Sequence, residues 1–231
     1  MIGIIGALSK EIDQLIAQID EPQEEIISRV KFYFGKLCGQ EVVVAKSGVG
    51  KVNAAIATQT MILKFKPELI VNSGVAGAIS PDVEIGDIVI ASQVVQHDVD
   101  TSALGDPVGF ISGLDLVMVE CHKEKSQELL EVARVVAGQN RATLGVIATG
   151  DNFVSKREDG EWINRQFGAV AVEMEGGSVG QSCFVNTVDF CVVRVISDSI
   201  YRNSPADYDE FVGYAAAKSI RVMSDFLKLR P

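Results

Sequence analysis

Short apolar runs alternate with amphipathic stretches along most of this chain. Residues 1–6 form an isoleucine-rich run broken by glycine, the pattern of a buried strand. Ile12, Leu15, Ile16 and Ile19 follow at spacings of three and four, which predicts an amphipathic helix over 9–19. Two β-prone runs, 32–37 and 42–45, are separated by Cys38-Gly39-Gln40 and predict a hairpin. A helix is predicted over 51–65, then Pro67 and a buried strand over 69–72. Further strands are expected at 87–91, 115–120, 143–148, 169–173 and 189–196, and further helices at 123–137, 160–167, 175–184 and 207–229. Strands alternating with helices predict an α/β fold whose mostly parallel sheet is covered on both faces, and the early hairpin makes that sheet mixed. No internal repeat and no Pro/Ser/Gly linker divides the chain, so residues 1–231 read as a single domain.

Composition narrows the classes of function. A chain of 231 residues can bury an α/β core without disulfides or a structural metal, and 47% hydrophobic with 23% charged residues excludes a disordered chain. The formal charge of −10, from 31 acidic and 21 basic residues, opposes binding to nucleic acid or to an anionic membrane. No apolar stretch reaches 18 residues, and the N-terminal run lacks the basic start of a signal peptide, so a cytoplasmic location is expected. Cys38, Cys121, Cys183 and Cys191 contain no C-x-x-C pair, and His97 and His122 complete no zinc-ligand pattern. The cysteines read as small buried hydrophobes in a reducing compartment. One histidine and two carboxylates at His97-Asp98-Val99-Asp100 make too thin a set for a metal, and none is expected.

In open α/β folds, ligands sit beyond the carboxyl ends of the strands. Here those ends carry Gly6-Ala7-Leu8 with Glu11 beyond, Ser47-Gly48-Val49-Gly50, Ser73-Gly74-Val75-Ala76-Gly77, Gly150-Asp151-Asn152-Phe153-Val154, Glu173-Met174-Glu175, and Arg194-Val195-Ile196-Ser197-Asp198. Six such ends predict one converging pocket. Two phosphate motifs fail: Gly50-Lys51 has Ala45 and Val52 where a P-loop needs glycine and Ser or Thr, and Gly3-x-x-Gly6 lacks the third dinucleotide glycine. Glu11 reads equally as a first-turn carboxylate favoured by the helix dipole. Glu173 and Glu175 would share one face of an extended segment with Met174 opposite, or simply open a helix. Asp198, after Ser197, reads as a site acid or as a helix cap. Arg194 lies inside an apolar run, where it must pair with a carboxylate or face a pocket. Phe153, in a glycine-bounded loop, could stack on a flat heterocycle.

Gly3-Ile-Ile-Gly-Ala-Leu-Ser-Lys-Glu11, Ser47-Gly-Val-Gly-Lys51, Asn72-Ser-Gly-Val-Ala-Gly77, Val172-Glu-Met-Glu175 and Val193-Arg-Val-Ile-Ser-Asp198 together resemble the 5′-methylthioadenosine/S-adenosylhomocysteine nucleosidases of the nucleoside phosphorylase superfamily. The likeness runs from residue 1 to about 226. It implies a three-layer α/β/α fold with a mixed, barrel-like sheet, a homodimer, a small nucleoside substrate and no cofactor. By position, Glu11 resembles the base that activates water, and Asp198 the acid that protonates adenine N7, with Ser197 orienting it. Met174 and Glu175 resemble the ribose ligands, Phe153 the stacking ring and Val154 the adenine contact through its backbone. Gly77 would line the ribose and water site, and Arg194 would help hold that water. The 97–113 loop resembles the one that reaches the partner's thioalkyl pocket, where Leu8, Val49 and Tyr208 also match. Val75, Leu104 and Tyr208 depart from the family's common serine, aromatic and phenylalanine.

Breaking a ribosyl–purine bond builds positive charge on the sugar and negative charge on the base, so a carboxylate at one end and an acid at the other suit it. Asp198, closing an apolar strand, is expected to hold a proton more readily than Glu11 on a turn that reads as exposed. The alternatives are a purine nucleoside phosphorylase, a hydrolase of futalosine-type nucleosides, and a nucleoside-binding protein without turnover. No arginine stands between Gly6 and Glu11 to hold a phosphate, and a mere binder needs no acid–base pair.

Overall fold

The computed structural model describes residues 1–229. In chain order the elements are β1 (Ile2–Gly6), α1 (Ser9–Ile16), β2 (Asp20–Ile27), β3 (Val30–Leu37), β4 (Gln40–Lys46), α2 (Lys51–Phe65), β5 (Leu69–Ala78), β6 (Ile88–Gln96), β7 (Met118–Glu120), α3 (Lys123–Ala137), β8 (Ala142–Thr149), α4 (Arg157–Phe167), β9 (Ala169–Glu173), α5 (Gly176–Val185), β10 (Asp189–Ser199) and α6 (Ser204–Lys228). Strands β10, β6, β8, β9 and β5 run side by side, and β10 pairs again with β5, so these five close into a small barrel. From β5 the sheet continues through β1, β4, β3 and β2, while β7 pairs with β6. The ring is mixed: β5–β10, β6–β8 and β8–β9 are parallel, β10–β6 and β5–β9 antiparallel.

Alternation along the strands divides the core into two layers. Ile4, Val71 and Val193 face Ile12 and Leu15 of α1, Leu129 of α3 and Phe226 of α6. Their neighbours Ile5, Ile70 and Val192 face Ala54 and Met61 of α2 and Val179 and Cys183 of α5. Helices on both faces of a mixed, partly closed sheet give the expected three-layer α/β/α architecture. Ile4, Ile5 and Ile70 are fully buried, and truncating any of them to alanine would cost about 2–5 kcal/mol.

Helices at 51–65 and 123–137 and the strand at 169–173 stand where the periodicity puts them, and the hairpin turns at Cys38 (φ 52°) and Gly39 (φ 82°). Other boundaries move, in ways that matter for the site. The strand expected over 69–72 runs on to Ala78, so Ser73–Gly77 is strand and not loop. The last strand runs to Ser199, which puts Ser197 and Asp198 inside β10. Glycine and serine mask these extensions because they break the apolar run without breaking the ladder. Strand 87–91 likewise extends to Gln96, and 115–120 shrinks to three residues. The first helix stops at Ile16, and β2 follows where no strand was expected. Its sequence, DEPQEEII, has no buried face; it is an edge strand held to β3, where Pro22 is tolerated.

Candidate active site

The carboxyl ends of β1, β5, β9 and β10 converge as the loop positions predict. An open cleft of about 470 Å³ is bounded by Ala7, Leu8, Glu11, Val49, Val75, Ala76, Gly77, Phe153, Val172, Glu173, Met174, Glu175, Ser197, Asp198 and Tyr208. A small recess adjoins it at Asn152 and Val154 and shares Gly77, Phe153, Val172, Glu173, Met174 and Asp198 with the cleft. The outer mouth is formed by Leu8, Val49 and Tyr208. Phe153 and Tyr208 meet edge to face across it, with ring centroids 5.6 Å apart.

Glu11 sits in the first turn of α1, but it is buried and not exposed as its position suggests. Its Oε2 accepts the N–H groups of Ala7 (2.8 Å) and Leu8 (2.9 Å), and its Oε1 accepts that of Val75 (3.0 Å). Burial pushes the Glu11 carboxyl up from its ordinary value, against the charge of Arg194 and these three N–H groups. A carboxylate with a raised pKa accepts a proton more readily than a free one.

Asp198 owes its aim to a bulge. Ile196 pairs with Ala76 and Asp198 with Gly77, so Ser197 is the extra residue that turns the strand toward the pocket. Ser197 Oγ lies 2.8 Å from Asp198 Oδ1 and donates to it. Gly77 makes the approach possible: a Cβ there would stand 2.8 Å from Asp198 Oδ2. Burial raises the Asp198 carboxyl to about 6, which lets it hold a proton at higher pH than a free carboxyl does.

Behind the cleft floor, Arg194 is the largest fully buried side chain among the described residues. Its Nη2 donates to Asn72 Oδ1 (2.5 Å) and to Glu173 Oε2, and lies 3.6 Å from Glu175 Oε2. The charge inside its apolar run is thus paired, as burial demands. Arg194 does not line the cleft, however. It holds the carboxylates from behind them. Glu173 also accepts from Thr149 Oγ1 and from the N–H groups of Glu175 (3.0 Å) and Gly176 (2.7 Å). Glu175 Oε1 accepts Gly50 N–H at 2.9 Å. Burial and the charge of Glu173 push Glu175 up to about 7, against Arg194 and that N–H.

Of the residues expected to bind or react, Glu11, Gly77, Phe153, Met174, Glu175, Ser197, Asp198 and Tyr208 bound the cleft and Val154 its recess. Sequence reasoning named Glu173 only as half of an acidic pair and Asn72 only as the head of a matching segment, and did not name Thr149. A buried arginine requires partners, which is a signal for Asn72 and Glu173; nothing marks Thr149.

The closed mixed barrel thus sets the buried carboxyls of Glu11, Glu173, Glu175 and Asp198 around one cleft, and residues 1–228 match the Phosphorylase superfamily. A 5′-methylthioadenosine/S-adenosylhomocysteine nucleosidase of Staphylococcus haemolyticus is 39% identical over 99% of this chain and 100% of its own. The S-adenosylhomocysteine nucleosidase of Streptococcus pyogenes, solved with 5-methylthiotubericidin, superposes with a TM-score of 0.92 at 32% identity, covering 100% of this chain and 97% of that one. The futalosine hydrolase of Helicobacter pylori superposes with a TM-score of 0.91 at 36% identity, covering 99% and 97%. The chain belongs to the 5′-methylthioadenosine/S-adenosylhomocysteine nucleosidase family of that superfamily.

Proposed function

We propose that this chain hydrolyses the N-glycosidic bond of 5′-methylthioadenosine and S-adenosylhomocysteine, releasing adenine and the thioribose. The observation that carries the reading is that Glu11 and Asp198 bound one cleft, against Val75 and Gly77 of the same strand, each with a raised pKa. Adenine occupies the recess against Phe153, with the Val154 backbone at its edge and Asp198 at N7. Glu175 and the Met174 backbone take the ribose hydroxyls, and the thioalkyl group leaves through the mouth at Leu8, Val49 and Tyr208. Glu11 deprotonates a water at the anomeric carbon while Asp198 delivers its proton to the departing base. Glu11, Glu173 and Glu175 surround one arginine, so carboxyl oxygens outnumber the cation where the sugar becomes positive. Adenine release should proceed equally with and without phosphate and give a free thioribose; a ribose-1-phosphate product would overturn the reading.

A second reading, a futalosine-type substrate, is favoured by the similarity to the Helicobacter pylori hydrolase; side-by-side kcat/KM values on the two nucleosides separate them. The chain acts as a homodimer in this proposal. Leu104, 83% exposed near the tip of the 97–113 segment, and the exposed Val52, Ile56 and Leu63 of α2 are the surfaces a second copy would cover. Methionine salvage in the cytoplasm is the setting that suits such a reaction, and no helix among the described residues is long and apolar enough to cross a membrane.

A further inference from the structure

Three residues outside the cleft form a closed ring. Lys51 Nζ donates to Asp98 Oδ1 at 2.6 Å, Asp151 N–H donates to Asp98 Oδ2 at 2.9 Å, and Lys51 N–H donates to Asp151 Oδ1 at 2.7 Å. The ring joins the N-terminus of α2, the start of the 97–113 segment and the loop after β8. It is partly withdrawn from water, with the side chains of Lys51 and Asp98 17% and 29% exposed. Burial alone would push the Asp98 carboxyl up, but Lys51 and the Asp151 N–H outweigh it and hold it below its ordinary value.

Two close approaches keep the ring in register. Gly50 has φ 98°, and a Cβ there would stand 2.9 Å from Asp151 Oδ1. On the other side, the His97 ring backs onto Gly150, where a Cβ would overlap it, and His97 N–H donates to Thr149 O at 2.9 Å. Neither Lys51, Asp98 nor Asp151 bounds the cleft or its recess, yet their chain neighbours do. Phe153 is two residues beyond Asp151, Val49 is two before Lys51, and Gly50 N–H is the group that holds Glu175.

We propose that Asp98 is a positioning residue: by clasping Lys51 and Asp151 together it fixes the stacking wall at Phe153 and the sugar ligand Glu175 relative to each other. The 97–113 segment, which leaves from Asp98, is thereby tied to the sugar site. The proposal rests on reading Glu175 as the ribose ligand. Two N–H groups at the start of α2, which could otherwise hold a free anion, are here taken by Glu175 of the cleft and by Asp151 of the ring.

The test compares Asp98→Ala, Lys51→Met and the double variant in the full chain, with methylthioadenosine as substrate and Lys51→Arg as the conservative control. Each single change should raise KM about tenfold or more, the scale of one charge-assisted hydrogen bond, with kcat within about threefold of the parent. The double variant should be no worse than either single, because the ring is broken once, and Lys51→Arg should recover part of the KM. A parent-like KM in either folded single variant, or a fall in kcat and melting temperature with KM unchanged, overturns the proposal. Lys51→Met carries the test if Asp98→Ala does not fold. Glu175→Gln, assayed alongside, separates the two ideas. A raised KM there with parent-like clasp variants sinks the clasp alone, while an unaltered KM in Glu175→Gln sinks the ribose reading beneath it.

Discussion

Glu175 should cost the folded protein stability once the pH rises above about 7. Its carboxyl is 7% exposed and faces Glu173 across the same guanidinium, which pushes it from 4.5 to about 7. The folded chain therefore binds this proton more tightly than the unfolded chain does. The stabilisation is fully present below about pH 4.5 and is lost as the pH rises through about 7. At 1.36 kcal/mol per pH unit, the interval from 4.5 to about 7 corresponds to about 3 kcal/mol. Glu175→Gln is permanently neutral and keeps an oxygen for Gly50 N–H, so it should lack this dependence. Parent and variant should melt together near pH 4.5, and at pH 8 the variant should melt about 6–12 °C higher, at roughly 2–4 °C per kcal/mol for a chain of this length. Paired thermal melts across pH 4.5–8 measure the difference. Parallel curves, or a variant that loses ground as the pH rises, would refute the claim that the buried charge is held under strain.

Asp198→Asn should lower kcat roughly 10²–10⁴-fold while leaving the fold and nucleoside binding intact, because the amide keeps the shape and loses the proton; near-normal turnover would remove Asp198 from the acid role. Since Asp198 must be protonated and sits at about 6, kcat/KM should fall as the pH rises above about 6, and this limb should be missing in the variant. Gly77→Ala should reduce kcat by at least about tenfold with little change in melting temperature, because its Cβ would displace Asp198 Oδ2; full activity would show that the approach has slack. Methylthioadenosine should be preferred over adenosine by a graded margin, at ~0.8 kcal/mol per buried methylene, and equal kcat/KM values would count against an apolar mouth at Leu8, Val49 and Tyr208.

Elements with a strong internal period could be read from the sequence; those defined by a neighbour could not. Helix α2 and helix α3 each bury a helical stripe, and their limits were plain. Strand β2 has no buried face, and only its partner β3 makes it a strand. The extensions of β5 and β10 were hidden because Gly74, Gly77 and Ser197 lack β-prone side chains, and those small residues are where the carboxylates need room. Glu11 shows the same limit: its first-turn position was visible, but its burial depends on Val75, 64 residues away. Arg194 was legible as a charge needing partners, whereas its place behind the floor depended on which way β10 faces.

The geometry around Glu11 also explains why water, and not phosphate, suits this cleft. A helix N-terminus with free N–H groups is an anion site, and α1 presents such an end to the cleft. Here the N–H groups of Ala7 and Leu8 are already taken by Glu11 Oε2, and that of Val75 by Oε1. The protein's own carboxylate thus takes the N–H groups that an anionic co-substrate would use, and Arg194, the nearby guanidinium, is paired through Nη2 with Glu173. A phosphate brought within ~4 Å of Glu11 would meet a repulsion of several kcal/mol at the effective dielectric of a partly buried site. A neutral water meets none, and can donate to the same carboxylate. In the proposed reaction, the residue that repels phosphate is therefore the one that would take the proton of the water bound in its place.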